Sequence, residues 1–321
     1  MKILAVDDDP FILELLTIMA ARAGFTDVTT ALSGEIALAM VNENSTVFDC
    51  LLVDISMPGM DGIELCGIVR KVPGYEITPI IILTAMAEKD YIDRAFQAGA
   101  TDYANKPFNI VELHARLRMT DELITTRQQT DADDTISDDT IQSKKHHFDL
   151  SKKVAIGGVK NLITYSALKN YLVQLSHAGV ASSQVVAVKV DRIKDIYQRA
   201  SKAEFLYALT EAADAIDTAH RTIGHLMAYA GDGTFVVVSS KASLELSVAL
   251  ETEIQNLLDG RETEYDNGDP LDIEVSVGNP IRPVLNKMQQ QTIDRAIARV
   301  DSRIVEKGTA KKPPNIRLIG T

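Results

Sequence analysis

Cysteine is nearly absent from this 321-residue chain: only Cys50 and Cys66 occur, and neither belongs to a CxxC pair. A disulfide framework or a zinc site has no support, and a reducing compartment fits. No apolar run approaches the roughly 20 residues needed to cross a bilayer. The N-terminus enters a strand-like pattern at Ile3-Leu4-Ala5-Val6, without the charged segment and long apolar segment of an export signal. A soluble, cytoplasmic protein without a membrane partner is expected. Positive charge is also short, with 33 Lys and Arg against 45 Asp and Glu and a formal net charge of -12. That balance opposes tracking of a nucleic-acid backbone, so no DNA partner is expected.

What is present is ordinary globular composition, 45% hydrophobic and 24% charged, which excludes bulk disorder, collagen and coiled-coil rods. At about one to two hundred residues per domain, the length predicts two domains. From Met1 to about Met119, short apolar runs alternate with amphipathic stretches, and the runs 50–53 and 79–83 are continuously apolar. Such runs suit parallel strands covered on both faces. The pattern predicts an α/β, flavodoxin-like (βα)5 domain over residues 1–122, its last helix capped by Asn109.

Residues 123–150 read as an acidic linker. Asp131, Asp133, Asp134, Asp138 and Asp139 crowd ahead of Lys144-Lys145-His146-His147, and clustered charge with little to bury leaves the ordering entropy uncompensated. A helical continuation into its first residues is compatible with this. His146-His147 could hold a metal, but a solvated tract is the plainer reading.

In open α/β sheets ligands gather at the carboxyl ends of the strands. Here the first apolar run ends in Asp7-Asp8-Asp9, the third in Asp54, the fourth in Thr84, and the fifth leads to Lys106-Pro107. Crowded acids repel one another unless a hard cation neutralises them, and an all-oxygen set suits Mg2+. A carboxylate beside such an ion can attack a phosphoryl group, with the ion and Lys106 compensating charge on the transferring oxygens. Thr84 is placed to donate a hydrogen bond to the product.

The segments Val6-Asp7-Asp8-Asp9-Pro10, Val53-Asp54-Ile55-Ser56-Met57-Pro58-Gly59-Met60-Asp61-Gly62, Leu83-Thr84-Ala85 and Lys106-Pro107-Phe108 resemble those of the response-regulator receiver family. The resemblance implies that Asp7 and Asp8 bind Mg2+ with the Ser56 backbone carbonyl, and that Asp54 is the phosphoacceptor. It further implies Lys106 as the ion-pair partner of Asp54, and Thr84 with Tyr103 as a switch pair. Nothing in this set departs from the family pattern.

Residues 151–321 read differently, as βαββαβ with a helix before and another after. Strand 185–190 precedes a helix opened by a Ser201/Glu204 capping box; strands 222–229 and 234–239 join through Ala230-Gly231-Asp232-Gly233. A helix 242–258, a strand 271–277 and a helix 292–307 follow. The expected shape is an α+β, ferredoxin-like or palm arrangement, an antiparallel sheet with helices on one face.

Strand 185–191, the hairpin Tyr229 to Phe235, Val275-Ser276-Val277-Gly278 and Lys307-Gly308 resemble the GGDEF (diguanylate cyclase) family, each motif in degenerate form. The resemblance puts Asp191 at the second acid of the first strand and Lys189 at the metal-binding first acid, where an ammonium would repel Mg2+. The guanine contacts fall near Tyr197 and Ala203, and both are lost. No RxxD motif precedes the hairpin, because Arg221 is followed at the third position by Gly224. Asp191 and Asp232 could still pair as metal ligands in an active diguanylate cyclase or class III-like nucleotide cyclase. Gly-Asp-Gly between apolar strands is also an ordinary hairpin turn. The expectation is a two-component response regulator, taking phosphate from a sensor histidine kinase or phosphotransfer protein. Its GGDEF-like output domain acts by contact rather than catalysis. Binding of GTP or a cyclic dinucleotide by that domain, and homodimerisation, stay open.

Overall fold

Runs of Ile, Leu and Val with no polar interruption must be buried on both sides, and three of them form the centre of the first sheet. In the computed structural model β1 (Ile3–Val6), β3 (Cys50–Asp54) and β4 (Ile80–Thr84) are buried at every position. The structure describes residues 1–43, 47–85, 89–135, 149–151, 153–154, 156–175, 182–240, 247–283 and 289–310. The chain divides into two compact units, Met1–Lys144 and Lys145–Thr321.

In the first unit β2 (Val28–Ala31) and β5 (Asp102–Asn105) complete a five-stranded parallel sheet in the order β2-β1-β3-β4-β5, the flavodoxin-like order. Helices α1 (Pro10–Arg22), α2 (Gly34–Asn42), α3 (Gly62–Val69), α4 (Lys89–Gln97) and α5 (Ile110–Thr135) connect and follow the strands. Four of them start on a side chain that accepts a backbone N–H: Asp9 from Phe11, Ser33 from Ile36, Asp61 from Glu64 and Asn109 from Val111. Each such cap contributes about 1 kcal/mol. No Gly or Pro interrupts residues 110–135, and α5 runs on through residues expected to begin the linker. Cys50 and Cys66 are buried, and burial pushes their thiols up to about 12 and about 11. Both pack as small hydrophobes.

The second unit holds β6 (Ser183–Val190), β7 (His225–Gly231), β8 (Thr234–Ser240) and β9 (Val275–Val277), antiparallel in the order β7-β8-β6-β9. Its helices are α6 (Tyr165–Gln174), α7 (Ile193–Arg199), α8 (Lys202–Ala219), α9 (Ser247–Asp259) and α10 (Gln289–Ala310). The Ser201/Glu204 capping box forms as the sequence predicts. Val186, Val188 and Val190 of β6 share a core with Phe205 and Leu209 of α8 and Leu250 and Ile254 of α9. The alternate residue Lys189, and Asp191 just beyond the strand, instead reach Asp301 and Lys307 of α10.

The expected one-sided helical cover is therefore corrected: α10 lies on the other face. The reason is that β6 is apolar at both parities. Val185 and Ala187 are as buried as their neighbours and need a second cover. The strand expected over 271–277 is hydrogen-bonded to β6 only at its end. Upstream, Leu271 donates its N–H to the Thr263 carbonyl in a local pairing of its own. The outer margin of β9 is closed by side chains. Gln255 Oε1 accepts from Val275 N–H (3.0 Å), Glu251 Oε2 accepts from Val277 N–H (2.9 Å), and Lys307 Nζ donates to the Val275 carbonyl (2.8 Å). Among the described residues no helix is long and apolar enough to cross a membrane.

Candidate functional site

Parallel register turns strand ends into a rim. Val6 is aligned with Val53, so the next residues, Asp7 and Asp54, emerge side by side; Thr84 is aligned with Asn105, which leads to Lys106. One carboxylate oxygen from each of Asp7, Asp8 and Asp54 lies within 4.8 Å of the others. Asp7 and Asp54 are buried, whereas Asp8 is exposed, so the cluster has one face open to solvent. Lys106 Nζ stands 2.6 Å from Asp7 Oδ2 and 2.6 Å from Asp54 Oδ1. Asp54 Oδ2 accepts from the Ser56 N–H at 2.8 Å, and Asp7 Oδ1 from the Asp9 N–H at 3.0 Å.

The electrostatics match a cluster with too few cations. Burial raises the Asp7 carboxyl above the usual carboxylate range, against the hydrogen bond from Lys106 that pulls it down. Burial also works against the Lys106 ammonium. Hydrogen bonds and charge from Asp54 and Asp7 outweigh it and hold that group above its ordinary value. Three carboxylates facing one ammonium make a hard, all-oxygen donor set that a divalent cation would fit.

The loop after Asp54 is held by contacts that sequence spacing does not announce. A Cβ at position 62 would stand 2.0 Å from the Asp54 carbonyl oxygen, so only glycine lets α3 start this close to the acid. Glu35, in the first turn of α2, accepts the Met60 N–H through Oε1 at 2.9 Å. Hydrogen bonds from its own and the Met60 backbone N–H lower its carboxyl below the ordinary range. Its acidic residue type at a helix start was the one available signal. Thr84 is buried at the end of β4. Tyr103 is buried in β5, its ring edge-on to Phe96 at 6.4 Å, and burial pushes its phenol up to about 12. Just before Tyr103, Asp102 pairs with Arg116 of α5 and accepts the Tyr103 N–H.

The candidates of the second unit sit in different surroundings. Lys189 pairs with Asp301 at 2.7 Å. Asp191 is buried; its Oδ2 accepts from Lys307 Nζ (3.1 Å) and Ser276 Oγ (3.0 Å). Lys307 also faces Glu251, which is bonded to Arg303. Asp232 is exposed in the β7–β8 turn at φ 49°, between Gly231 at 95° and Gly233 at 70°. Three successive left-handed residues account for Gly-Asp-Gly as a turn. Among the described residues, the only group of three or more acids, histidines or cysteines placed to share an ion is Asp7, Asp8 and Asp54. His146-His147 lies outside the described residues.

The family model for the response regulator receiver domain matches residues 3–118. That stretch is a receiver domain. It is 40% identical over 117 residues to the DNA-binding response regulator MtrA of Mycolicibacterium smegmatis, a match covering 36% of this chain and 49% of the relative. It is 36% identical over 117 residues to the transcriptional regulatory protein YvrH of Bacillus subtilis, covering 36% of this chain and 47% of the relative. Among solved structures, the chemotaxis protein CheY4 of Vibrio cholerae is 34% identical, with a TM-score of 0.35, covering 37% of this chain and 97% of that one. The chain spans about half the length of the curated relatives it matches. These matches lie in the receiver and leave the second unit unassigned.

Proposed function

We propose that this protein is a two-component response regulator in which Asp54 carries the phosphoryl group. The observation that supports this most is Lys106 bridging Asp7 and Asp54 while Asp8 keeps the cluster open to solvent. An Asp54 carboxylate oxygen attacks the phosphorus of a phosphohistidine on a sensor kinase or phosphotransfer protein. The O–P bond forms as the P–N bond breaks, and the donor imidazole leaves with the electron pair and takes up a proton. Mg2+ suits the donor set, with Asp7, Asp8, Asp54 and the Ser56 carbonyl as its ligands; it would offset charge on the transferring oxygens. Lys106 supplies the second positive charge. Thr84 donates to the new phosphoryl oxygens, and Tyr103 follows it, which makes the β4–β5 side the region that changes.

For the second unit we favour a degenerate, ferredoxin-like palm of GGDEF type that acts by contact. Supporting this are the strand order β7-β8-β6-β9, the αβααββαβα element order, which is βαββαβ with a second helix inserted after β6 and a helix at each end, and the pairing of Lys189 with Asp301 where a cyclase needs a metal-binding acid. The MtrA relative is named as DNA-binding, but what it shares with this chain is the receiver; DNA is not part of this proposal. The test is incubation of the full chain with an acyl phosphate and Mg2+, followed by intact mass. Uptake of one phosphoryl group, lost in Asp54→Asn, is expected. Equal uptake by wild type and Asp54→Asn, or none by wild type, overturns the reading. Formation of a cyclic nucleotide from GTP or ATP would overturn the contact-only output.

A further inference from the structure

The free margin of β7 is covered by the residues through which the chain enters the second unit. Leu150 accepts the Asp232 N–H at 3.0 Å, beside the β7–β8 turn. The Ser151 carbonyl runs so close to Gly231 that a Cβ there would stand 2.4 Å from its oxygen. Further along, Met227 donates its N–H to the Asn161 carbonyl (2.9 Å) and accepts the Ile163 N–H (2.8 Å), with Leu162 bridged parallel to Met227. One side-chain tie secures the end of this strap. Asn161 Nδ2 donates to Asp217 Oδ1 at 2.6 Å, and the same oxygen lies 3.0 Å from His225 Nε2.

The strap is sewn on at both ends, yet it is thin. Among the strap's described residues only Val159 is buried in the core, Leu150, Val154, Ile156 and Leu162 bury themselves partly against it, and β6, β7 and β8 pair with one another across the sheet. Elements with few buried contacts open locally at lower free energy than the sheet beneath them. It is also the first described part of the second unit that the chain reaches after α5 ends at Thr135.

We infer that the described residues among 149–163 (149–151, 153–154 and 156–163) are a displaceable cover over the β7 margin and the Asp232 turn, and that the receiver signals by loosening it. The inference rests on the phosphoacceptor reading of Asp54. What it adds is the element that is moved.

Hydrogen exchange on the full chain, with and without an acyl phosphate and Mg2+, tests it. Phosphorylation, followed by mass in the same samples, should speed exchange at the Met227, Asp232 and Ile163 amides by about tenfold or more. Amides between β6 and β8 should stay protected. Phosphoryl uptake with unchanged protection at these three amides overturns the inference. No uptake at all overturns the receiver reading and the inference with it, and the mass measurement separates the two failures. Asn161→Ala, without phosphodonor, should unprotect Met227 and Ile163 while leaving uptake at Asp54 intact. If that variant unprotects β6–β8 as well, the strap is not a separable element and the inference fails.

Discussion

Each unit brings a lysine to a buried aspartate at the end of a strand, and the two outcomes are opposite. In the receiver Lys106 faces Asp7 and Asp54 with Asp8 alongside, so one cation meets three acids and the cluster stays open on the Asp8 side. In the second unit Lys307 and Arg303 meet the buried Asp191 and Glu251, two cations against two buried acids, beneath α10, with the exposed Glu306 4.0 Å from Arg303. The first arrangement is charge-deficient and accessible, and invites an ion and a reactant; the second is neutralised from within and serves as a fastening. Charge balance and access, rather than the presence of a strand-end aspartate, set the two clusters apart.

The comparison can be broken most forcibly at Asp54. Asp54→Asn should abolish phosphoryl uptake, read by intact mass, while the fold is kept. Next in size is Gly62→Ala, whose Cβ has no room beside the Asp54 carbonyl. It should destabilise the receiver by about 3–4 kcal/mol in urea unfolding and lower uptake with it. Asp8→Asn should weaken Mg2+ binding about 10–100-fold, the cost typical of losing even an outer-shell partner, measured by calorimetry.

The fastening should respond to opposite logic. Asp191→Ala should cost about 1–2 kcal/mol of second-unit stability and leave uptake at Asp54 unchanged. Asp191 Oδ1 is buried without a hydrogen-bond partner, so the double change Asp191→Leu with Lys307→Met should be close to neutral. A comparable apolar swap of Asp54 and Lys106 would end uptake. The smallest effect concerns pH. Burial works to raise the Glu251 carboxyl, but hydrogen bonds from Arg303 and the Val277 N–H and the charge of Lys307 prevail and lower it. A carboxyl depressed in the folded state stabilises above its unfolded value and loses that contribution as pH falls through the folded one. Glu251→Gln should therefore flatten the loss of second-unit stability on acidification below the ordinary carboxylate range, measured by denaturant unfolding across that window.

The acids and lysine of the receiver rim were legible because parallel register converts the end of each apolar run into a position at one edge. Asp7 and Asp54 needed no distant information beyond that. Glu35 was not legible in this way, since its bond to Met60 joins segments 25 residues apart that only the packed fold brings together. In the second unit, Val185 to Val190 reads as one apolar strand from composition. Nothing local says that its two parities are covered by different helices, or that Lys189 finds Asp301 112 residues later. Helix α7 escaped notice because Arg192 opens it at φ 52° with no side-chain cap, so no start signal is written there.

The stoppered margin of β9 limits what the second unit can build. A sheet lengthens by offering unclaimed amides to an incoming strand, and here Val275 and Val277 have already given theirs to α9. At the opposite margin the Met227 N–H and carbonyl are taken by Asn161 and Ile163, so a strand joining the second sheet there would first have to displace that segment.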